Sequence, residues 1–137
     1  MAVSQRETCL SLMGPAVEID LNAAGATEVA LYTTPTGKIF FPTHVLLDNA
    51  SISMTTADIT LGIGGGSCDE FRGVQTLTGF DGTAGKYLVI YADQGTNDTP
   101  EGGIQLAAGE SFSIEIETAQ GAAATCDAAV IGILRDA

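Results

Sequence analysis

The sequence is short of positive charge. Its 137 residues include 5 Lys and Arg against 17 Asp and Glu, a formal net charge of −12. Sequence-independent binding to DNA or RNA replaces phosphate counterions with Lys and Arg, so that class of function is excluded. Attraction to an anionic membrane surface is disfavoured for the same reason. Trp is absent and aromatic rings are few, three Tyr and five Phe, which weakens a sugar-stacking site. Histidine occurs once, as His44, leaving a nucleophile a single candidate base near neutral pH. The three cysteines, Cys9, Cys68 and Cys126, are odd in number and widely spaced. They form neither a disulfide framework nor a metal knuckle. They read as free thiols of a protein made in a reducing cytoplasm, with a Cys68–Cys126 pair as the alternative in oxidising surroundings. The longest apolar run, Tyr87 to Ala92, has six residues, far below the ~20 of a membrane span. Met1 to Glu7 is polar, and the apolar stretch Cys9 to Ala16 is broken by Ser11, Gly14 and Pro15, so no secretion signal is expected.

What the chain does have is apolar content, 45% with a mean hydropathy of +0.26, which separates it from acidic disordered tails. Its 17 Gly and 16% charged residues suit strands and tight turns. The dominant period is two. Val17, Ile19 and Leu21 alternate with Glu18 and Asp20; Phe112, Ile114 and Ile116 alternate with Ser113, Glu115 and Glu117. Ile59, Leu61 and Ile63 repeat the pattern. Each reads as a half-buried antiparallel strand with one wet face. Glu28 to Thr33, Lys38 to Leu47, Phe71 to Leu77, Lys86 to Ala92 and Thr125 to Leu134 are further strands. Pro42 belongs at a bulge or on an edge. Turn signals recur about every 10 to 15 residues, as in a sandwich or barrel. The expectation is an all-β antiparallel sandwich of about eight strands over residues 16–137, preceded by an N-terminal arm, 1–15. Ser4 to Met13, with Ser4 and Glu7 placed for a capping box, is the best helical candidate; an arm reads equally well.

No constellation carries chemistry. His44 has no motif tying it to Cys68 or to a serine. The run Leu61-Gly62-Ile63-Gly64-Gly65-Gly66-Ser67 lacks the Lys-Ser/Thr ending of a phosphate loop and follows a strand, so it reads as a flexible connection. Asp93 to Glu101 gathers oxygen ligands that suit calcium but lacks the spacing of a dedicated site. No catalytic, cofactor or metal residues are assigned, and no enzyme is expected. Phe40 and Phe41 are adjacent, so an extended strand sends them to opposite faces. One of them then meets a second buried layer, within the monomer or at a subunit seam.

The blocks Gly37 to Leu47 and Ala57 to Gly62 resemble small jelly-roll proteins of tailed bacteriophages. So do Lys86 to Tyr91, Leu106 to Ile114 and Ala129 to Leu134. The resemblance is one of pattern and covers residues of about 28 to 134. It implies a head decoration (cement) protein: a jelly-roll-like sandwich that trimerises on the outside of an expanded capsid, with the major capsid protein as partner. The protein would be made in the host cytoplasm and end on the virion exterior, without cofactor, nucleic acid or membrane. On this reading Val3, Leu10, Leu12 and Met13 of the arm contact the capsid or a neighbour, and Phe40 and Phe41 are candidates for the trimer seam. The alternative is a receptor- or glycan-binding domain of a tail or fibre, using loops Gly64 to Glu70 and Asp93 to Gly103.

Overall fold

The computed structural model describes residues 9–93 and 104–137. Among them it holds nine strands and no helix. These are β1 (Cys9–Met13), β2 (Val17–Asp20), β3 (Thr27–Thr33), β4 (Lys38–Asp48), β5 (Asp58–Ile63), β6 (Arg72–Thr76), β7 (Tyr87–Tyr91), β8 (Ser111–Thr118) and β9 (Thr125–Asp136). All pairings are antiparallel. A five-stranded sheet runs β1-β9-β4-β7 with β2 also on β9; a four-stranded sheet runs β3-β8-β5-β6.

β1 and β2 pair with successive stretches of β9, Met13 opposite Ile131 and Val17 opposite Ala128. They behave as one strand broken where Pro15 has no N–H to donate. Counted so, the first strand lies beside the last, and every connection except the β5–β6 hairpin crosses between sheets. That is jelly-roll order. Over the described part of the Ser4 to Met13 stretch, Cys9–Met13, β1 stands in place of the helix considered, because it gains a sheet ladder on β9. A ten-residue helix standing alone is marginal in water. Residues 1–8, with Val3, lie outside the described residues.

The inner faces follow the alternation. Ile59, Leu61, Phe112, Ile114 and Ile116 of one sheet meet Ile19, Val45, Leu47, Ala128 and Val130 of the other, all buried. Full burial of each larger side chain contributes roughly 1.5–3 kcal/mol. The β4–β9 register shifts between Pro42 and His44, so Pro42 does sit at a bulge, although β4 is an inner strand. Phe40 is wholly buried, its ring 4.9 Å from that of Tyr32. It belongs to the monomer's core, which leaves Phe41 as the member of the pair on an outer face. One end of the sandwich is tied by Gln120, whose Oε1 accepts from the N–H groups of Thr55, Thr56 and Ala57 at 3.1–3.2 Å.

Candidate functional site

With the inner faces consumed by the core, the two outer faces remain. The outer face of the five-stranded sheet is apolar along its middle. Phe41 lies opposite Ile133, Leu46 opposite Ala129 and Val89, and His44 opposite Ile131 and Tyr91. Met13 joins them across from Ile131. Met13, Tyr87, Tyr91 and Ile133 keep 59, 67, 63 and 37% of their surface exposed. Leu12, of opposite parity, packs against the core. Of the arm residues considered above, then, Met13 is exposed while Leu12 is held inward.

The ends of this face are charged. Glu18, Asp127 and Asp48 stand in one row across β2, β9 and β4. The Asn49 amide donates to Asp127 at 3.1 Å. Asp48, Asp127, Lys86 and Tyr87 line an open groove of about 550 Å³ there. At the opposite end the Arg135 guanidinium lies over the Phe41 ring, 5.1 Å from its centre, a geometry that favours cation–π attraction.

The outer face of the four-stranded sheet is acidic and partly roofed by its own chain. Glu28 lies opposite Glu115, with Glu117 on the same side by alternation. Segment 64–70 folds back over β5 and β8. The Gly65 N–H donates to both Glu28 carboxylate oxygens at 3.0 and 3.2 Å, and the Ile63 N–H donates to Glu70 at 2.9 Å. Cys68, held at a left-handed φ of 54°, donates its thiol to the Ser113 carbonyl at 3.4 Å. Burial first, then Glu28, Glu115 and Glu70, pushes that thiol up to about 12. Burial, then Glu117, Glu28 and Asp69, raises the Glu115 carboxyl above its ordinary value. The glycine run is therefore a strap fastened at several points, where the sequence reads as a flexible connection.

The geometry separates groups that the sequence leaves combinable. His44 lies outside one sheet and Cys68 outside the other, so they form no dyad. The Thr43 hydroxyl donates to the Ile131 carbonyl at 3.0 Å and lies 2.9 Å from His44 Nδ1. Its single proton is thus committed, which makes Nδ1–H the donor. Cys68 and Cys126 are both free and buried. Cys126 lies between the sheets and Cys68 beyond one of them, so the pair considered above is not formed. Burial, then Asp127 and Asp48, pushes Cys126 up to about 12. Among the described residues no three His, Cys, Asp or Glu side chains are gathered to hold a metal. Of the Asp93 to Glu101 stretch, Asp93 is described. It accepts from the Gly73 N–H at 2.7 Å and pairs with Arg72 at 3.2 Å; residues 94–101 lie outside the described residues.

Two solved structures share this architecture. A chain of the cyanophage Pam1 capsid asymmetric unit superposes with a TM-score of 0.61 at 13% identity, over 96% of this chain and 86% of that one. A chain of the acidic stable capsid structure of Helicobacter pylori bacteriophage KHP30 gives 0.55 at 14% identity, over 93% of each. At such identities the likeness is one of fold. No family profile matches the chain, and no curated protein matches it in sequence.

Proposed function

We propose that this chain is a structural protein of a tailed-phage head, a decoration protein that binds the outside of the expanded shell as a homotrimer and stabilises it. The observation that carries the reading is the contrast between the outer faces. One is acidic and closed over by its own strap; the other is apolar and uncovered. A particle-bound protein needs such a division, with a solvent face that repels crowded copies and a second face that other chains cover. The fold neighbours support the setting, since both come from phage capsids and are matched over most of their own length.

The mechanism is mass action. A protein that binds only the expanded lattice favours that state by its differential affinity, without catalysis. The major capsid protein is the partner. The arm supplies part of the contact, Val3 and Leu10 by position and Met13 by its exposure, and repetition over three copies adds avidity. Synthesis would be cytoplasmic and the final location the virion exterior. The tail or fibre alternative draws on loops that project to a ligand. Its first loop, 64–70, is fastened down by Glu28, Glu70 and Cys68, which favours the head reading.

The test is purified protein mixed with expanded and unexpanded capsids of the source phage. Saturable co-sedimentation with expanded capsids, and a trimeric mass in solution, is the expected result. A monomer that ignores both capsid forms at micromolar concentration overturns the reading. Binding to host cells or glycans without capsid affinity would favour the tail alternative.

A further inference from the structure

Three buried side-chain oxygens among the described residues have no hydrogen-bond partner, those of Thr34, Thr60 and Ser113. Two of them, Thr60 and Ser113, lie together on the outer face of the four-stranded sheet. Thr60 stands directly opposite Glu115, and Glu115 opposite Glu28, so β5, β8 and β3 present the three side chains as one row. Ser113 precedes Glu115 by two residues on β8 and shares its face by alternation. Its hydroxyl reaches toward the acids. A Cβ on Gly64 would lie 2.6 Å from both Ser113 Oγ and Glu28 Oε1, which puts these two oxygens within twice that distance of one another. Thr60 and Ser113 are only 4 and 1% exposed. Buried hydroxyls without a partner are rare in a native fold, and they point to a water or an ion held beside them.

The surrounding charge decides between the two. Glu115 meets Glu28 across the ladder and Glu117 along the strand, and its carboxylate accepts no hydrogen bond among the described residues. Carboxylates directly opposite one another are mutually unfavourable. The described Lys and Arg side chains are all placed elsewhere: Lys38 on Asp136, Arg72 on Asp93, Arg135 over Phe41 and Lys86 in the groove beside Asp48. A neutral water would leave the excess charge in place, whereas a cation removes it.

We infer that this patch holds a divalent cation of the calcium class, with the Glu115 and Glu28 carboxylates and the Ser113 and Thr60 hydroxyls as its protein ligands and water completing the shell. Among the described residues no third carboxylate, thiol or imidazole joins the pair, so the donors are all oxygen and carry two charges. Oxygen donors suit a hard ion. Calcium takes about six to eight of them in loose geometry, whereas magnesium demands a near-regular octahedron. Two carboxylates are few for a calcium site, which sets the dissociation constant at about 10⁻⁴ to 10⁻³ M, the weak end of the range. The ion ties β3, β8 and β5 to one another beneath the strap that the Gly65 N–H fastens to Glu28. The inference concerns the isolated chain and does not depend on the decoration reading.

The experiment is denaturant melting and isothermal titration of the full chain, first stripped with a chelator, against CaCl2, MgCl2 and NaCl at matched ionic strength. Calcium at about 10 mM should raise the folding equilibrium roughly 10- to 100-fold, as mass action at that affinity requires, and should titrate one site per chain. Magnesium should bind at least fivefold more weakly, and NaCl should not reproduce the calcium effect. Glu115→Gln should abolish the response. Thr60→Val keeps the side-chain shape and removes a stranded hydroxyl, so it should be at least as stable as wild type in chelator yet bind calcium at least threefold more weakly. Glu117→Gln removes an equal charge from the same face and should keep the wild-type affinity within twofold. An effect that NaCl reproduces, equal responses to magnesium and calcium, or a calcium response that survives Glu115→Gln overturns the site. Capsid co-sedimentation in chelator tests the decoration reading by itself, so either can fail without the other.

Discussion

The two sheets bury the same kind of side chain on their inner faces and differ on their outer ones. On the four-stranded sheet the central strands β5 and β8 alternate apolar with polar residues or glycine, and outward positions carry Glu28, Glu115 and Glu117 beneath or beside the strap. On the five-stranded sheet β4, β7 and β9 are apolar on both parities. Of the six large apolar side chains left exposed among the described residues, four lie on its outer face: Met13, Tyr87, Tyr91 and Ile133. An antiparallel sheet with one wet face reads as alternation, while strands covered on both sides read as continuous apolar runs. On the proposed function, that contrast turns the four-stranded sheet to solvent and leaves the five-stranded one to be covered by other chains.

The most disruptive way to break the contrast is to lift the strap. A Cβ at Gly62 would lie 2.7 and 2.8 Å from the backbone nitrogens of Glu70 and Asp69, and backbone does not yield as a side chain does. Gly62→Val should therefore destabilise by roughly 3 kcal/mol or more, as overpacking against backbone does. It should also open Cys68 to a thiol reagent that the native protein resists. Urea melts together with thiol titration read both effects. Wild-type stability with Cys68 still unreactive would mean the strap is not held by this contact.

A second effect is expected at high pH. Cys68 and Cys126 are both pushed from 9.0 to about 12 in the folded chain. An unfolded thiol ionises near its ordinary value, so above pH 9 the unfolded chain holds fewer protons than the folded one. Stability is then intact below about pH 9 and falls as pH rises toward 12. Denaturant melts between pH 8 and 11 should show that decline, and Cys68→Ala should make it shallower. A flat profile would place the thiols in contact with water.

Much of this contrast was legible in the sequence, and the reasons for the rest are physical. Period-two patterning locates β2, β5 and β8, because a half-buried strand must alternate, and the apolar segments between turn signals locate β3, β4, β6, β7 and β9. Phe40-Phe41 signals two covered faces, although only the register assigns Phe40 to the core and Phe41 to the outside. β1 was hidden because Cys9-Leu10-Ser11-Leu12-Met13 is a strand only by virtue of β9 beside it. The strap was hidden as well. Gly64-Gly65-Gly66-Ser67 has the composition of an open turn, and the groups that fasten it, Glu28 and Ser113, come from distant strands. The acid row of Glu18, Asp127 and Asp48 needed the β2–β9–β4 register, which pairs residues that no local pattern connects.

A finer probe compares two equally exposed side chains. Val74 on β6 is 62% exposed and Tyr91 on β7 is 63% exposed, so solvent alone treats them alike. Substitution to Ser should change the stability of the isolated fold by no more than about 0.5 kcal/mol in either case, as at other surface positions. Association should separate them: Tyr91→Ser weakens it about tenfold and Val74→Ser leaves it unchanged. Equal behaviour in sedimentation would remove the distinction between the faces.

The smallest expected effect lies on the acidic face. Glu115 is opposite Glu28 and beside Glu117, and its carboxyl is raised by burial and by these neighbours. A raised carboxyl means that the folded state disfavours the ionised form, so stability is gained as pH falls from neutral through the folded value. Glu115→Gln removes one charge from the cluster and should stabilise the protein at pH 7 by a few tenths of a kcal/mol at low salt, the usual scale for opposed like charges. Near pH 4, where Glu115 is largely protonated in both states, the variant and wild type should melt together. Added salt should shrink the pH 7 difference. A variant less stable than wild type at pH 7 would show that Glu115 meets a cation on the outer face, and that this sheet is not the one turned to solvent.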